Sequence, residues 1–216
     1  MKFPGTEKSV PAFSQLCLAL ALIALPLSVR AGPAEDYQGG LAAYRAGDVA
    51  GAMAPLKRAA DSGHAPAQAL YGTLLDSADF DEEAAAYLRK SAEQGDADGQ
   101  YGLAKMYLTR EAKAPDEGDM NRLMRSAAAQ GHEQAIISMA LAYVGRDPRL
   151  GAADPADPEA AKFLLRAAEL GDRTSIEQLA HAYRAGGYGL AVDAAKADHW
   201  AARLASQVAP KKGAKK

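Results

Sequence analysis

Histidines, hydroxyls and clustered carboxylates are the side chains here whose types could do chemistry. The chain of 216 residues carries four histidines, His64, His132, His181 and His199. A helical zinc site sets two imidazoles four residues apart and completes the shell with further ligands. No two of these histidines have that spacing, and the single cysteine, Cys17, stands near the N-terminus. His64 and His132 each directly follow a glycine, Gly63 and Gly131, so they are equivalent positions of a repeat and not one site. Asp76, Asp79, Asp81, Glu82 and Glu83 form an acidic cluster. It lacks the spaced ligands and central glycine of a calcium loop. Carboxylates suit the positive end of a helix, so the cluster reads as a helix start. Ser62, Ser91, Ser126, Ser138 and Ser175 fall in helical or turn positions, none on a nucleophile elbow. The glycines cradle no phosphate; they fall at the ends of repeated segments. We expect no catalytic residue, no metal and no cofactor.

Those glycines mark out the elements. Gly63, Gly95, Gly131 and Gly171 are separated by 32, 36 and 40 residues, the period of an array of supersecondary units. Eight and seven residues before them stand Pro55-Leu56, Tyr87-Leu88, Leu123-Met124 and Phe163-Leu164. Four and three before stand Ala59-Ala60, Ser91-Ala92, Ala127-Ala128 and Ala167-Ala168. Spacings of four put these columns on one helix face, large residues on one turn and small ones on the next. After each glycine a second helix carries a small column, Gly72, Ala104, Ala140 and Ala180. Three residues later comes a large one, Leu75, Tyr107, Tyr143 and Tyr183, which reads as core. Pro55 would break a helix interior, so the helix that holds it is expected to begin near Ala52.

These columns resemble the Sel1-like repeat family, relatives of the tetratricopeptide repeats, whose motif runs Trp/Tyr-x-Arg/Lys-x-Ala-Ala-Glu-x-Gly, then Ala-Gln, Leu-Gly and Leu-Tyr. The match is clearest over Tyr87 to Tyr107. Gly186 to Asp193, followed by Trp200, is closest to the family's Gly-x-Gly-Val-x-x-Asp connection, whereas residues 76–81, 109–118 and 145–158 depart from it. The resemblance implies an all-α fold over residues 36–207, a right-handed superhelical solenoid of about five antiparallel TPR-like helix pairs. It also implies a non-enzymatic protein-binding module or scaffold. Some cysteine-rich relatives are credited with β-lactam binding, but a mature chain without cysteine lacks their stapling disulfides.

The N-terminus has the look of a secretory leader. Lys2 and Lys8 precede a 12-residue apolar run, Leu16 to Leu27, too short to span a bilayer. Val29 and Ala31 then offer small residues for cleavage after Ala31. We expect residues 1–31 to be a cleavable signal peptide and the protein to be periplasmic or secreted, with no transmembrane segment in the mature chain. The whole chain has net charge −2, and loss of the leader takes it to about −4, which gives no footprint for nucleic acid. Residues 208–216 form a basic tail of Lys211, Lys212, Lys215 and Lys216, expected to be solvated and disordered.

What remains is a binding face. If the first helix of each pair lines the concave side, as in solenoids of this kind, two variable columns should meet a ligand. They read Ala69, Tyr101, Ile137, Glu177 and Thr73, Lys105, Leu141, His181. Tyr101, Ile137 and Leu141 would supply an apolar centre, with Lys105, Glu177 and His181 around it, for a protein or peptide partner. The alternatives are an envelope enzyme or hydrolase subunit built on the scaffold, and a structural spacer without a specific ligand. The leader generates a first test. N-terminal sequencing of protein recovered from an exporting host should read from near Gly32, and an intact Met1 in the soluble product would remove the envelope assignment.

Overall fold

At every junction between repeats one residue closes a helix and opens the next. The computed structural model describes residues 32–208 apart from 117 and 155, so the leader and the lysine tail lie outside the described residues. Ten α-helices follow in order: α1 (Pro33–Arg45), α2 (Val49–Asp61), α3 (Ala65–Asp76), α4 (Asp81–Glu93), α5 (Ala97–Thr109), α6 (Asp119–Ala129), α7 (Glu133–Gly145), α8 (Pro158–Glu169), α9 (Arg173–Ala185) and α10 (Ala194–Val208). A 3₁₀ turn at Pro148–Leu150 interrupts the connection from α7 to α8. Each helix packs on the next, giving an all-α solenoid of five helix pairs.

The junctions show why the glycines recur. Gly63, Gly95, Gly131 and Gly171 have φ of 86°, 83°, 91° and 93°, the left-handed region that side chains avoid. Each glycine N–H bonds to the carbonyl three residues back, and the next N–H reaches five back: His64 to Ala59, Asp96 to Ser91, His132 to Ala127 and Asp172 to Ala167. This paired closure satisfies the last carbonyls of the ending helix. The same four residues then cap the helix that follows. Asp96 Oδ1 accepts from the Gly99 N–H at 2.9 Å, and Asp172 Oδ2 accepts from the Ser175 N–H at 2.7 Å. His64 Nδ1 and His132 Nδ1 do the same for Ala67 and Ala135 at 3.2 and 3.1 Å.

The core follows the columns. Leu56, Leu88, Met124 and Leu164 are buried, as are the alanines one turn on and the closing Leu75, Tyr107, Tyr143 and Tyr183. Leu88 fills a gap that two glycines leave open: a Cβ on Gly72 would meet its Cγ at 2.9 Å, and one on Gly102 its Cδ2 at 2.7 Å. Leu88 of α4 is thereby lodged against both α3 and α5. Ser91 is fully buried with its Oγ 2.9 Å from the Ala65 carbonyl oxygen, whereas the equally buried Ser175 Oγ has no hydrogen-bond partner.

Two expectations need correcting. The array starts at Pro33, ahead of Asp36, because proline at the first helical position suits a helix start. Pro55 lies inside α2, which begins at Val49 and not near Ala52. The Asp48 side chain fixes that start by accepting from the Gly51 N–H at 2.8 Å. Gly51, whose carbonyl loses its donor to Pro55, is exposed to solvent. The proline penalty of about 3 kcal/mol is carried by burial of Ala52, Leu56, Ala59 and Ala60. The long connection after α7 is pinned by a polar knot. Arg125 bonds Asn121 at 2.7 Å and the Tyr143 hydroxyl at 3.1 Å and pairs with Glu159, while Tyr143 donates to Asp157 at 2.9 Å.

Nothing lies within 4 Å of a Cβ built on Gly95, so a side chain there meets only backbone strain. Gly95→Val should cost about 1–3 kcal/mol in urea denaturation and Gly95→Asn distinctly less, since asparagine tolerates the left-handed region. A valine variant as stable as the parent would mean the turn relaxes. Ser175→Ala should leave stability unchanged or raise it, because a buried donor without a partner is removed. A loss above about 1 kcal/mol would show that the hydroxyl is bonded after all.

Candidate functional site

First helices of neighbouring pairs touch directly, α3 with α5 and α7 with α9, whereas among the described residues no two second helices pack comparably. A curved stack is tightest on its inner side, which makes α3, α5, α7 and α9 the candidates for the concave face. Both variable columns lie on these helices. Ala69 is buried, Tyr101, Lys105 and Ile137 are half-buried, and Thr73, Leu141, Glu177 and His181 are exposed. Tyr101 and Ile137 pack against the core, which leaves Leu141, 40% exposed, as the apolar centre of the face.

Tyr101 is a brace. Its ring stacks on His132 with centroids 4.4 Å apart and planes at 27°. Tyr37 stacks on His64 in the same way, at 4.7 Å and 31°. An imidazole that accepts at Nδ1 carries its proton on Nε2. In His132 that Nε2 lies 3.3 Å from Asp98 Oδ1, and the hydrogen bond holds the Asp98 carboxyl below its usual range. Lys105 is engaged as well. Its Nζ lies 2.9 Å from Asp76 Oδ2 at the end of α3, a bond that raises its pKa. Glu177 and His181 remain as the exposed charged and polar members of the expected set.

Beside Leu141 opens a groove of about 530 Å³ whose walls include Leu108, Ser138, Arg146, Arg149 and Leu150. Leu108 and Arg146 were not among the residues singled out from the sequence. Leu108 had a signal there: the column three residues beyond Lys105 reads Asp76, Leu108, Val144 and Arg184, apolar only in α5 and α7. Arg146 had none, because its role comes from a backbone conformation its residue type does not announce.

The titratable groups that depart from their ordinary values do so for local reasons. Burial raises the phenols of Tyr37, Tyr71, Tyr87, Tyr143 and Tyr188. Hydrogen bonds donated to Asp61 and Asp76 raise Lys57 and Lys105. Asp61 is lowered by Lys57, Asp147 by Arg149, and Asp157 and Asp193 by backbone N–H groups. Every one of these displacements holds its group in the ordinary charge state near neutrality, the reverse of what general acid–base work uses. Among the described residues no three metal-ligating side chains converge, and no helix is long and apolar enough to cross a membrane.

Solved structures with the same fold exist. A protective antigen present in uropathogenic Escherichia coli strains, which displays an SLR fold, superimposes with a TM-score of 0.64 at 26% identity over 82% of this chain. The chain spans 39% of that protein's length. A Sel1 repeat protein from Oxalobacter formigenes gives 0.63 at 23% identity, covering 82% of this chain and 72% of its own. No family model and no curated protein matches the sequence. The chain thus has the fold of the Sel1-like repeat solenoids, and its backbone carries the resemblance that its columns showed.

The split between brace and surface is testable by chemical denaturation. Tyr101→Ala should cost about 2 kcal/mol through the lost stack and a loosened α7 cap, while Leu141→Ser should cost about 1 kcal/mol or less. Equal losses would place Leu141 in the core.

Proposed function

We propose that this protein is a non-enzymatic interaction module, exported to the cell envelope, which holds a protein or peptide partner on its concave face. The observation that carries the reading is Leu141: a large apolar side chain open to water in the middle of a face whose neighbouring apolar residues are packed away. An apolar residue held beside a groove fits a docking point. Ser138 on the groove wall and the exposed Glu177 and His181 of α9 would add polar groups suited to a partner's rim. Tyr101, Lys105 and Ile137 shape the face from beneath. The leader-like N-terminus supports export, and the protective antigen of uropathogenic strains with the same fold is compatible with an envelope setting.

The test is comparative capture from the native envelope fraction. Mature protein should retain a partner that Leu141→Ser does not, while Glu93→Ser, on an exposed position of a second helix, retains it in full. Loss of capture in the Glu93 variant with retention in the Leu141 variant would put binding on the convex side and overturn the proposal.

A further inference from the structure

Arginine twice takes a left-handed position at the end of a first helix, where α1 has Gly47, φ 81°, and α3 has Asp79, φ 61°. Arg146 ends α7 in the left-handed region, φ 54°, with its N–H bonded to the Tyr143 carbonyl and the Asp147 N–H to the Ala142 carbonyl. That is the closure Gly63, Gly95, Gly131 and Gly171 make at the other junctions. Arg110 is the left-handed residue at the end of α5, with φ 70°. In the last pair the corresponding position is Gly186, φ 86°. A left-handed conformation is strained for any side chain, and strain retained at a surface position points to use of that side chain. Attraction of a cation to the negative end of a helix explains part of the choice. Arg184 gives α9 the same benefit from inside the helix, where it also pairs with Asp198 at 3.1 Å. Arg110 and Arg146 are exposed, and among the described residues neither has an acidic partner.

Arg146 stands on the wall of the groove beside Leu141 and Leu108. Arg149, on the same wall, is neutralised by Asp147 at 2.7 Å and reaches toward the Leu108 carbonyl with Nη1 at 3.4 Å. The groove therefore has an apolar floor and, on its wall, the guanidinium of Arg146 without an acidic partner in the described chain; a second such guanidinium, Arg110, stands two residues past the wall residue Leu108. We infer that the groove docks an extended peptide segment in which a large apolar side chain is flanked by aspartate or glutamate. The apolar group covers Leu108 and Leu141, and the carboxylates bond to Arg110 and Arg146. A lysine-rich segment is repelled, and a neutral one leaves both guanidiniums without partners. This rests on the docking role proposed for the concave face and adds the partner's chemistry.

The variant that tests it carries Arg110→Gly together with Arg146→Gly. Glycine relieves both left-handed positions, so the double variant should melt at the parent's temperature or above it. A displayed library of random short peptides is selected in parallel on the parent and the variant, with the strongest parent-selected peptide then titrated on both. The parent should enrich peptides that combine Asp or Glu with Leu, Ile, Phe or Met. The titrated peptide should bind the variant at least about tenfold more weakly, and added salt should weaken its binding to the parent. Equal acidic enrichment on both proteins, or a variant less stable than the parent, would overturn the inference by making the arginines structural. Neutral apolar peptides selected equally by both would overturn it while leaving the concave docking face in place. No enrichment above bare support on either protein would overturn the inference and count against the docking face too.

Discussion

Everything in the array depends on a left-handed glycine followed by a residue with two jobs. The N–H of His64, Asp96, His132 or Asp172 closes the helix behind it, and its side chain caps the helix ahead. Helix ends otherwise leave backbone groups without partners, at a cost for each one buried. Here one residue settles both ends and leaves little freedom in the angle between helices. That angle is what allows Leu88 to sit against Gly72 and Gly102, and what brings the first helices together. The stacked tyrosines belong to the same device, since Tyr37 and Tyr101 hold the two histidine caps in place across the repeat boundary.

Within pairs the connection from α1 to α2 repeats the device with Gly47 and Asp48, but the later ones vary in length and sequence, and there the chain is individual. The segment after α7 runs through a 3₁₀ turn, buries Leu150 and Ala152, and is tied down by Arg125, Tyr143 and Asp157. It also builds one wall of the groove beside Leu141. Uniform junctions thus set the scaffold while irregular connections shape the surface. Such a division suits a protein whose task is to present a face, because loops can change without altering how repeats stack.

Helix number, order and core columns were legible in the sequence because repetition multiplies weak signals. A single Ala-Ala pair says little, but four at a fixed distance from a glycine define a face. The export leader and lysine tail fall outside the described residues and stay as sequence expectations. The candidate face was legible in part. Leu141, Glu177 and His181 are exposed where the columns put them, but Tyr101 stacks on a histidine 31 residues away and Lys105 answers Asp76 on the preceding first helix. Contacts between repeats depend on how far each helix is rotated, which a column alignment does not contain. Histidine as a cap was also hidden, since serine, threonine, aspartate and asparagine are the usual helix-starting residues. Arginine in a left-handed helix stop was hidden for the matching reason: glycine and asparagine are the usual ones.

The central claim is that this solenoid acts through the concave surface of its first helices, and photo-crosslinking in intact cells addresses it most directly. A photoreactive phenylalanine derivative replaces Leu141 in one strain, His181 in a second and Glu93, on the opposite face, in a third. Irradiation should yield one discrete adduct of the same mass from positions 141 and 181 and none from position 93. A discrete adduct from position 93, with positions 141 and 181 silent, would contradict the account.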